Sequence, residues 1–245
     1  MRGVAIVQAR MGSSRLPGKV LRRICGRTVL EHVLRRVQAA AGLEAVAVAT
    51  SVAAADDAVA SEAQRCGAHV FRGSEDDVLE RFCGAARELR AQAVVRITAD
   101  CPLLDPRVVE RVYTHFLQAP QADYVSNTLV RTYPRGLDVE VVRAVALELA
   151  CAQARQPYER EHVTPYFYGH PERFALENVA REGSDLSALR WTLDVAEDLR
   201  FITAVYEALW QEDALFTTSE ILALLRRRPE LTEINRHVRQ KTLGA

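Results

Sequence analysis

The stretch that decides the fold runs from residue 4 to residue 19 and reads Val4-Ala5-Ile6-Val7-Gln8-Ala9-Arg10-Met11-Gly12-Ser13-Ser14-Arg15-Leu16-Pro17-Gly18-Lys19. Its first part is apolar and is typical of a short buried strand. The rest contains two glycines, two serines, a proline and three cations, with no acidic residue. A loop of this kind after a strand offers backbone N–H groups and positive charge to a polyphosphate. The alternative is a surface loop whose glycines and proline only shape turns.

Two familiar nucleotide-binding motifs do not fit this loop. A Walker A loop, G-x-x-x-x-G-K-[ST], requires a hydroxyl directly after its lysine. Here five residues separate Gly12 from Gly18, and Val20 follows Lys19. A dinucleotide fingerprint, G-x-G-x-x-G, requires more glycines at a different spacing. The loop is therefore predicted to bind phosphate in some other way.

The overall charge excludes some classes of partner. The chain has 245 residues, of which 32 are basic and 32 are acidic, so its formal net charge is zero. A balanced charge gives no general attraction to nucleic acid or to an anionic membrane. We therefore expect neither partner, and any electropositive site must be local.

Cysteine usage indicates the compartment. The five cysteines are scattered and form no C-x-x-C pair, which argues against a disulfide framework or a structural zinc site and for a reducing cytosol. The first residues enter a strand at once, without the features of a signal peptide. No apolar run approaches the ~20 residues that a membrane helix needs. The sequence predicts a cytoplasmic protein.

Apolar strands and amphipathic helices alternate along the first half of the chain. Predicted strands cover residues 4–7, 45–49, 69–71 and 93–97; predicted helices cover 28–41, 56–66, 74–90 and 105–117, with Ser74 as the cap of the third. This alternation predicts an α/β fold with a parallel sheet and helices on both faces. Ligands bind beyond the carboxyl ends of such strands, so the loops that follow them should meet at one rim.

The second half of the sequence is less regular. It predicts strands over 124–126, 137–142, 174–178 and 189–193, and helices over 143–155, 159–168, 196–210 and 219–227. Pro165 is expected to kink or end the second of these helices. We predict a single domain over residues 1–245, with an inserted acceptor or dimerisation lobe at about 120–175.

Five motifs in matching order carry a family resemblance. They are the loop at 8–19, Gly73-Ser74-Glu75-Asp76-Asp77-Val78-Leu79, Thr98-Ala99-Asp100-Cys101-Pro102-Leu103, Arg160-Glu161-His162-Val163-Thr164-Pro165-Tyr166 and Trp191-Thr192-Leu193-Asp194-Val195-Ala196-Glu197-Asp198. The set resembles the nucleotide-sugar cytidylyltransferases, which include the enzymes that make CMP-activated Kdo and sialic acids. The strongest likeness is to the spore coat polysaccharide biosynthesis protein F group.

The resemblance implies a fold and a reaction. The fold would be the three-layer, Rossmann-like nucleotide-diphospho-sugar transferase fold, with a mainly parallel sheet and an inserted smaller lobe. The reaction would be Mg²⁺-dependent transfer of CMP from CTP to an acidic sugar or related acid, with release of pyrophosphate, in surface polysaccharide biosynthesis. A homodimer formed through the irregular lobe is also implied.

Nucleotidyl transfer depends on positioning and on neutralising phosphate charge. We assign Arg10, Arg15 and Lys19 to the triphosphate, because arginine suits bidentate phosphate contacts and lysine supplies a point charge. The backbone amides of Gly12 and Ser13 would cradle it. Ala9, which opens the loop, belongs to the same nucleotide-binding set.

Two aspartates are candidates for a metal site. Asp100 and Asp194 each lie at the end of a predicted apolar strand, where a carboxylate would face the same rim. Mg²⁺ binds few protein ligands, and these are hard oxygens. The resemblance implies the same role, which makes Arg10, Lys19, Asp100 and Asp194 the predicted catalytic set. The alternatives are a turn residue before Pro102 for Asp100 and a helix cap for Asp194.

By resemblance, three further residues lie near the base and ribose of the nucleotide. They are Thr50, Arg72 and Ser74. Arg72 could instead be a surface cation. Ser74 precedes three acidic residues and could simply cap a helix.

The acceptor is expected in the irregular half. Arg135 and Arg160 are candidates for its carboxylate or hydroxyls, Asp138 for its hydroxyls, and His162 for the attacking oxygen. The arginines could instead be solvated or paired with nearby acids, and His162 could be structural. Enzymes that make CMP-Kdo carry a glutamine-containing sequence before the first metal aspartate, where this chain has Thr98-Ala99. The acceptor's identity therefore stays open.

Two other functions remain possible from the sequence. One is a nucleotide-sugar-dependent glycosyltransferase of the related fold, although no D-x-D pair occurs. The other is a non-catalytic nucleotide-binding homologue, which would be expected to have lost some of the cations or carboxylates that this chain retains.

Overall fold

A seven-stranded, mostly parallel sheet lies at the centre of the computed structural model, which describes residues 1–212 and 214–240. From one edge to the other its strands are β5 (His69–Gly73), β4 (Ala45–Ser51), β1 (Gly3–Gln8), β6 (Ala93–Thr98), β8 (Glu140–Arg143), β7 (Tyr124–Ser126) and β9 (Leu176–Asn178). The first four are parallel, β8 is antiparallel to both neighbours, and β9 is parallel to β7. A short hairpin, β2 (Arg23–Ile24) and β3 (Arg27–Thr28), stands apart.

The helices follow the predicted alternation. They are α1 (Val29–Gln38), α2 (Asp57–Arg65), α3 (Val78–Glu88), α4 (Pro106–Gln118), α5 (Ala144–Gln153), α6 (Pro157–His162), α7 (Pro165–Tyr168), α8 (Ala196–Leu209), α9 (Thr218–Arg227) and α10 (Glu230–Glu233). Thr28 caps α1, since its hydroxyl accepts a hydrogen bond from the Glu31 amide at 3.0 Å. None of the described helices combines the length and apolar composition needed to cross a bilayer.

Alternation along β1 explains why both faces of the sheet are covered. Ala5 and Val7 belong to one buried apolar cluster, to which α1, α4 and α8 contribute. Val4 and Ile6 belong to a second cluster, to which α3 and α5 contribute. Successive strand residues point to opposite faces, so a fully apolar strand needs helices on both. The predicted three-layer α/β fold is confirmed.

Two predictions of secondary structure are wrong, one of a strand and one of a helix cap. Residues 189–193 form no strand, because the segment pairs in turn with two different loops: the Trp191 amide donates to Arg135 O at 2.7 Å, and the Leu193 amide to Asp100 O at 2.8 Å. Ser74 does not cap α3. The cap is Asp77, whose carboxylate accepts a hydrogen bond at 2.9 Å from the backbone amide of Glu80, the third residue of the helix.

Two strands lie within the segment predicted as an inserted lobe. Both β7 and β8 come from about 120–175, and both extend the central sheet beyond β6. The predicted helix over 159–168 is divided into α6 and α7. The break lies at Val163, which has a φ of 70°, two residues before the proline expected to interrupt it.

Candidate active site

A cleft of about 850 Å³ opens at the carboxyl ends of β1 and β6. Most of the residues that the sequence assigns to the site line it. They are Ala9, Arg10, Gly12, Ser13, Arg15, Lys19, Asp100, Arg135, Asp138, His162 and Asp194. The cleft lies at the edge that the rule for ligands of parallel sheets indicates, beyond the carboxyl ends of the strands.

The loop at 8–19 is fixed at both of its ends. The Gly18 amide donates to Met11 O at 3.1 Å, and Gly18 has a φ of 66°, a left-handed conformation that glycine adopts readily. The Met11 amide donates to the buried carboxylate of Asp56 at 2.6 Å. Between these anchors, the backbone amides of residues 12–15 donate to no acceptor in the described part of the chain. Such amides are suited to an anion.

Lys19 stands at the centre of the cleft's charged groups. Its Nζ donates to Asp100 Oδ2 at 2.8 Å, Asp194 Oδ1 at 2.9 Å and Leu193 O at 2.7 Å. Burial acts to lower the pKa of Lys19, but the two carboxylates outweigh it and the pKa is raised. The ammonium is therefore charged, and it joins three segments that are distant in sequence.

The two oxygens of Asp194 face different partners. Oδ1 faces Lys19, whereas Oδ2 accepts from Arg190 Nη2 at 2.8 Å and lies 3.2 Å from Arg15 Nη2. Burial acts to raise the pKa of Asp194, but the cations Lys19, Arg190 and Arg15 lower it to about 2. Asp194 is therefore an ionised carboxylate at neutral pH.

Asp194 is not the cap of the following helix. The amides of Asp194 and Val195 both donate to Asp198 Oδ2, at 2.9 and 3.1 Å. Asp198 thus satisfies the start of α8 and leaves the Asp194 carboxylate free to face the cleft. The helix-cap alternative for Asp194 is wrong.

The donor set around Lys19 suits a hard divalent cation. Two carboxylates and a backbone carbonyl converge on one positive centre, the Lys19 ammonium. Oxygen ligands of this kind are those that Mg²⁺ prefers. Asp100 is oriented by a further contact, because its Oδ1 accepts from Thr98 Oγ1 at 2.6 Å. Among the described residues, Asp100 and Asp194 could therefore hold such an ion.

One side of the cleft carries a further cation, Arg135. Arg135 is half-buried and makes no ion pair within the described ranges. Burial and the neighbouring Arg131 lower its pKa. Asp138, in contrast, is paired with Arg131, with Oδ2 2.9 Å from Nη2. Burial lowers the pKa of His162, which favours a neutral imidazole that can accept a proton.

Arg160 lies outside the cleft lining. Its Nε donates to Asp77 Oδ2 at 3.0 Å, and its Nη1 donates to Cys151 O at 2.6 Å. The guanidinium thus ties α6 to the cap of α3. This position does not favour the predicted contact between Arg160 and an acceptor. Arg160 instead forms an ion pair, as the alternative predicted, but with Asp77 rather than with the acidic residues adjacent to it in sequence.

The residues expected near the base form a neighbouring region at the ends of β4 and β5, outside the cleft lining. Thr50 is fully buried. Arg72 donates through Nε to Ser51 O at 2.8 Å and pairs through Nη1 with Asp57 at 2.7 Å. Ser74 Oγ accepts from the Asp77 amide at 3.3 Å. These contacts shape the turn after β5.

Sequence reasoning missed several residues of the site. The cleft is also lined by Gln8, Ser14, Arg96, Tyr158, Glu161, Thr192 and Gln240. A lone arginine inside an apolar strand, Ala93-Val94-Val95-Arg96-Ile97, was a signal for one of them. Arg190, four residues before Asp194, gave no comparable signal, because only the tertiary contact shows its role.

A sequence profile of the cytidylyltransferase family matches residues 4–228. The chain belongs to this family. The match spans the loop at 8–19, both cleft aspartates and the described strands from residue 4 onward. The predicted resemblance and the predicted nucleotidyltransferase class are therefore confirmed.

Relatives of this cytidylyltransferase cover nearly its whole length. An uncharacterized protein of Methanocaldococcus jannaschii is 35% identical, with 99% of this chain and 98% of that protein covered. The spore coat polysaccharide biosynthesis protein SpsF of Bacillus subtilis is 33% identical, with 92% and 94% covered.

Solved structures agree with the fold. A cytidylyltransferase from Leptospira borgpetersenii superposes with a TM-score of 0.90 at 30% identity, covering 99% of this chain and all of that one. CMP:2-keto-3-deoxy-manno-octonic acid synthetase complexed with CTP superposes with a TM-score of 0.67 at 19% identity, covering 85% and 99%. The second likeness shows the shared fold.

Proposed function

We propose that this cytidylyltransferase transfers CMP from CTP to an acidic sugar, or to a related acid, in a Mg²⁺-dependent reaction that releases pyrophosphate. One observation carries the proposal. Asp100 and Asp194 converge on the Lys19 ammonium, beside a loop whose amides at 12–15 have no protein acceptor in the described structure. Anion donors and hard cation ligands thus share one cleft.

Positive charge around the loop supports triphosphate binding. Arg10, Arg15 and Lys19 line the cleft next to the amides of Gly12 and Ser13, and Ala9 connects this group to β1. Charge-assisted contacts of this kind stabilise the negative charge that moves onto pyrophosphate as it leaves. We assign these residues to CTP, with Arg10 and Lys19 as catalytic residues.

Mg²⁺ would be held by Asp100 and Asp194. Bound there, it would neutralise phosphate charge during the transfer. Thr98 and Arg190 would orient these two ligands, because each contacts the carboxylate oxygen that faces away from Lys19.

The cytosine and ribose are assigned to the neighbouring edge at Thr50, Arg72 and Ser74. Ser51 O and the Arg72 guanidinium already form a hydrogen-bonded turn there. Polar backbone and side-chain groups at this edge would distinguish cytosine from uracil, which differ in one donor and one acceptor position.

The acceptor is assigned to the side of the cleft that carries Arg135. Its guanidinium, which makes no ion pair with the residues that the structure describes, suits the acceptor carboxylate, and Asp138 suits the acceptor hydroxyls. The acceptor hydroxyl oxygen would form a bond to the α-phosphorus as the bond to pyrophosphate breaks, and His162 would take the hydroxyl proton. Arg160 would act on this region only indirectly, through Asp77.

The relatives support a proposal about the wider setting. The name of the Bacillus subtilis relative supports a role in surface polysaccharide biosynthesis. We further propose that the chain acts in the cytoplasm, as a homodimer and as a single cytidylyltransferase domain.

Pyrophosphate release tests the proposal. Purified protein would be incubated with CTP, Mg²⁺ and a panel of eight- and nine-carbon 2-keto acid sugars. We expect acceptor-dependent pyrophosphate release that is lost in Asp100→Ala. Thermal shifts with CTP, UDP-sugars and GDP-sugars would identify the nucleotide. Absence of CTP binding in the presence of Mg²⁺ would overturn the proposal.

A further inference from the structure

We infer that Arg190 is a positioning residue: it holds the Asp194 carboxylate so that Oδ1 faces Asp100 across Lys19. The inference rests on the proposed function, because it concerns the metal affinity of that site. Arg190 Nη2 donates to Asp194 Oδ2 at 2.8 Å. A carboxylate is planar, so fixing one oxygen fixes the direction of the other.

The Arg190 guanidinium is itself held as a fork. Its Nε donates to Asp198 Oδ1 at 2.9 Å, and its Nη2 donates to Asp198 Oδ2 at 2.9 Å. Asp198 has no exposed surface, and Arg190 is only 8% exposed. A bidentate arginine–carboxylate pair restricts the guanidinium plane as well as its position. The Nη2 that reaches Asp194 is therefore directed by Asp198.

The C-terminal segment completes this support from behind. Asn235 Nδ2 donates to Asp198 Oδ1 at 2.9 Å and to Arg190 O at 3.0 Å. Arg190 Nη1 donates to Gln240 Oε1 at 2.7 Å. The residues after α10 thus reach back to the group that directs Asp194.

Charge explains why a cation must lie between these two carboxylates. Asp194 and Asp198 are four residues apart, and both carboxylates contact the same Arg190 Nη2. Without that cation, two buried carboxylates would face each other and repel. Asp194 would then turn away from Asp198, and its metal-facing oxygen would lose its direction.

Arg15 contacts the same Asp194 oxygen, at 3.2 Å, but has a different role. It belongs to the loop assigned to the triphosphate and is more exposed than Arg190. Arg15→Met should therefore weaken CTP binding measured in EDTA. Arg190→Met should leave CTP binding in EDTA unchanged and should weaken metal binding.

Metal binding measured directly tests the inference. Mn²⁺ binding to each purified variant with CTP would be followed by electron paramagnetic resonance, beside the Mg²⁺ dependence of pyrophosphate release. We expect Arg190→Met to weaken Mn²⁺ binding by about 10- to 100-fold, as is typical when a residue supporting a metal ligand is removed. Arg190→Lys should weaken Mn²⁺ binding less, because lysine keeps the charge, although it loses the fork.

A double-mutant cycle separates positioning from general structural damage. If Arg190 acts through Asp194, Arg190→Met should add little to the loss caused by Asp194→Asn, because the two effects share one ligand. Arg236→Met removes an exposed arginine paired with Glu233 and should bind Mn²⁺ as the wild type does. Additive losses in the cycle would overturn the inference.

The inference can still be overturned if Arg190→Met fails to fold. If Arg190→Met gives no cooperative thermal unfolding, Arg190→Lys and Gln240→Ala take its place, and wild-type Mn²⁺ affinity in both would overturn the positioning role. Absence of Mn²⁺ binding by the wild type would instead overturn the proposed function, and the inference with it. The two failures are therefore distinguishable.

Discussion

Lys19 Nζ lies 2.8 Å from Asp100 Oδ2, although the two residues are 81 positions apart. The same ammonium contacts Asp194, a further 94 residues along the chain, at 2.9 Å. The positive charge of one lysine thus reduces the repulsion between two carboxylates that face the same cleft. We expect substitutions at the site to act through this pairing.

Lys19→Met should impair CTP use and change the response to metal. Loss of a charge that stabilises the leaving phosphates is expected to lower kcat/KM for CTP by about 10²- to 10³-fold. Because Asp100 and Asp194 would lose their shared counter-charge, Mg²⁺ should raise the Tm of the variant more than that of the wild type. Both quantities can be measured by pyrophosphate release and thermal unfolding.

Arg22→Met is the matched control for Lys19→Met. It removes a nearby exposed cation that does not line the cleft. Equal Mg²⁺-induced shifts of Tm in Lys19→Met and the wild type would contradict the expected role of the ammonium.

Arg135→Ala should act on the acceptor alone. The guanidinium lines the cleft and has no ion-pair partner in the described part of the protein, so an acceptor carboxylate would supply the missing charge. We expect the KM of the acceptor to rise by about tenfold or more, the effect of losing a charged hydrogen bond, with the KM of CTP unchanged. Steady-state kinetics with each substrate varied in turn measures this. Arg200→Ala, at an exposed site on α8, should change neither KM.

Asp56→Ala should loosen the loop at 8–19. The Asp56 carboxylate accepts from the Met11 amide at 2.6 Å and from the Ser51 amide at 3.2 Å, and it also accepts from the Ser51 hydroxyl. Leaving these buried donors unpaired should lower the free energy of unfolding by about 1–3 kcal/mol. CTP affinity should fall as well, because the loop loses its anchor.

Urea unfolding and CTP titration of Asp56→Ala measure these two effects. Asp185→Ala, at an exposed position, should behave as the wild type does. Wild-type CTP affinity in Asp56→Ala would show that the loop does not depend on this anchor.

His32 should make stability depend on pH. Burial of the imidazole, which packs against Tyr206, lowers its pKa from 6.5 to about 4, although the hydrogen bond between Nε2 and Ile24 O acts to raise it. Between these two pH values the unfolded state binds the proton and the folded state does not. The free energy of unfolding should therefore have its full value above pH 6.5. It should fall as the pH decreases toward 4, by at most about 1.4 kcal/mol per pH unit.

His32→Gln should flatten this dependence. Urea unfolding on both sides of the pH window compares the variant with the wild type. His237→Gln, at an exposed position, should keep the wild-type slope. An unchanged slope in His32→Gln would contradict the assignment.

The order of elements was readable from the sequence because it depends on local periodicity. Apolar runs such as 4–7 and 93–97 became β1 and β6, and amphipathic runs became the helices between them. Prediction failed at residues 189–193. An apolar run can lie extended without a partner strand, and there its hydrogen bonds go to Arg135 and Asp100 in turn.

The sequence by itself determined the composition of the loop at 8–19 and the edge of the sheet at which that loop and the cleft lie. Glycines, cations and strand ends are local features, and parallel strands place their carboxyl ends together. Only the tertiary structure decided which groups meet. Arg160 pairs with Asp77 outside the cleft, whereas Arg190 reaches Asp194 inside it. Side-chain partners depend on how distant segments pack, and no local pattern along the chain specifies that packing.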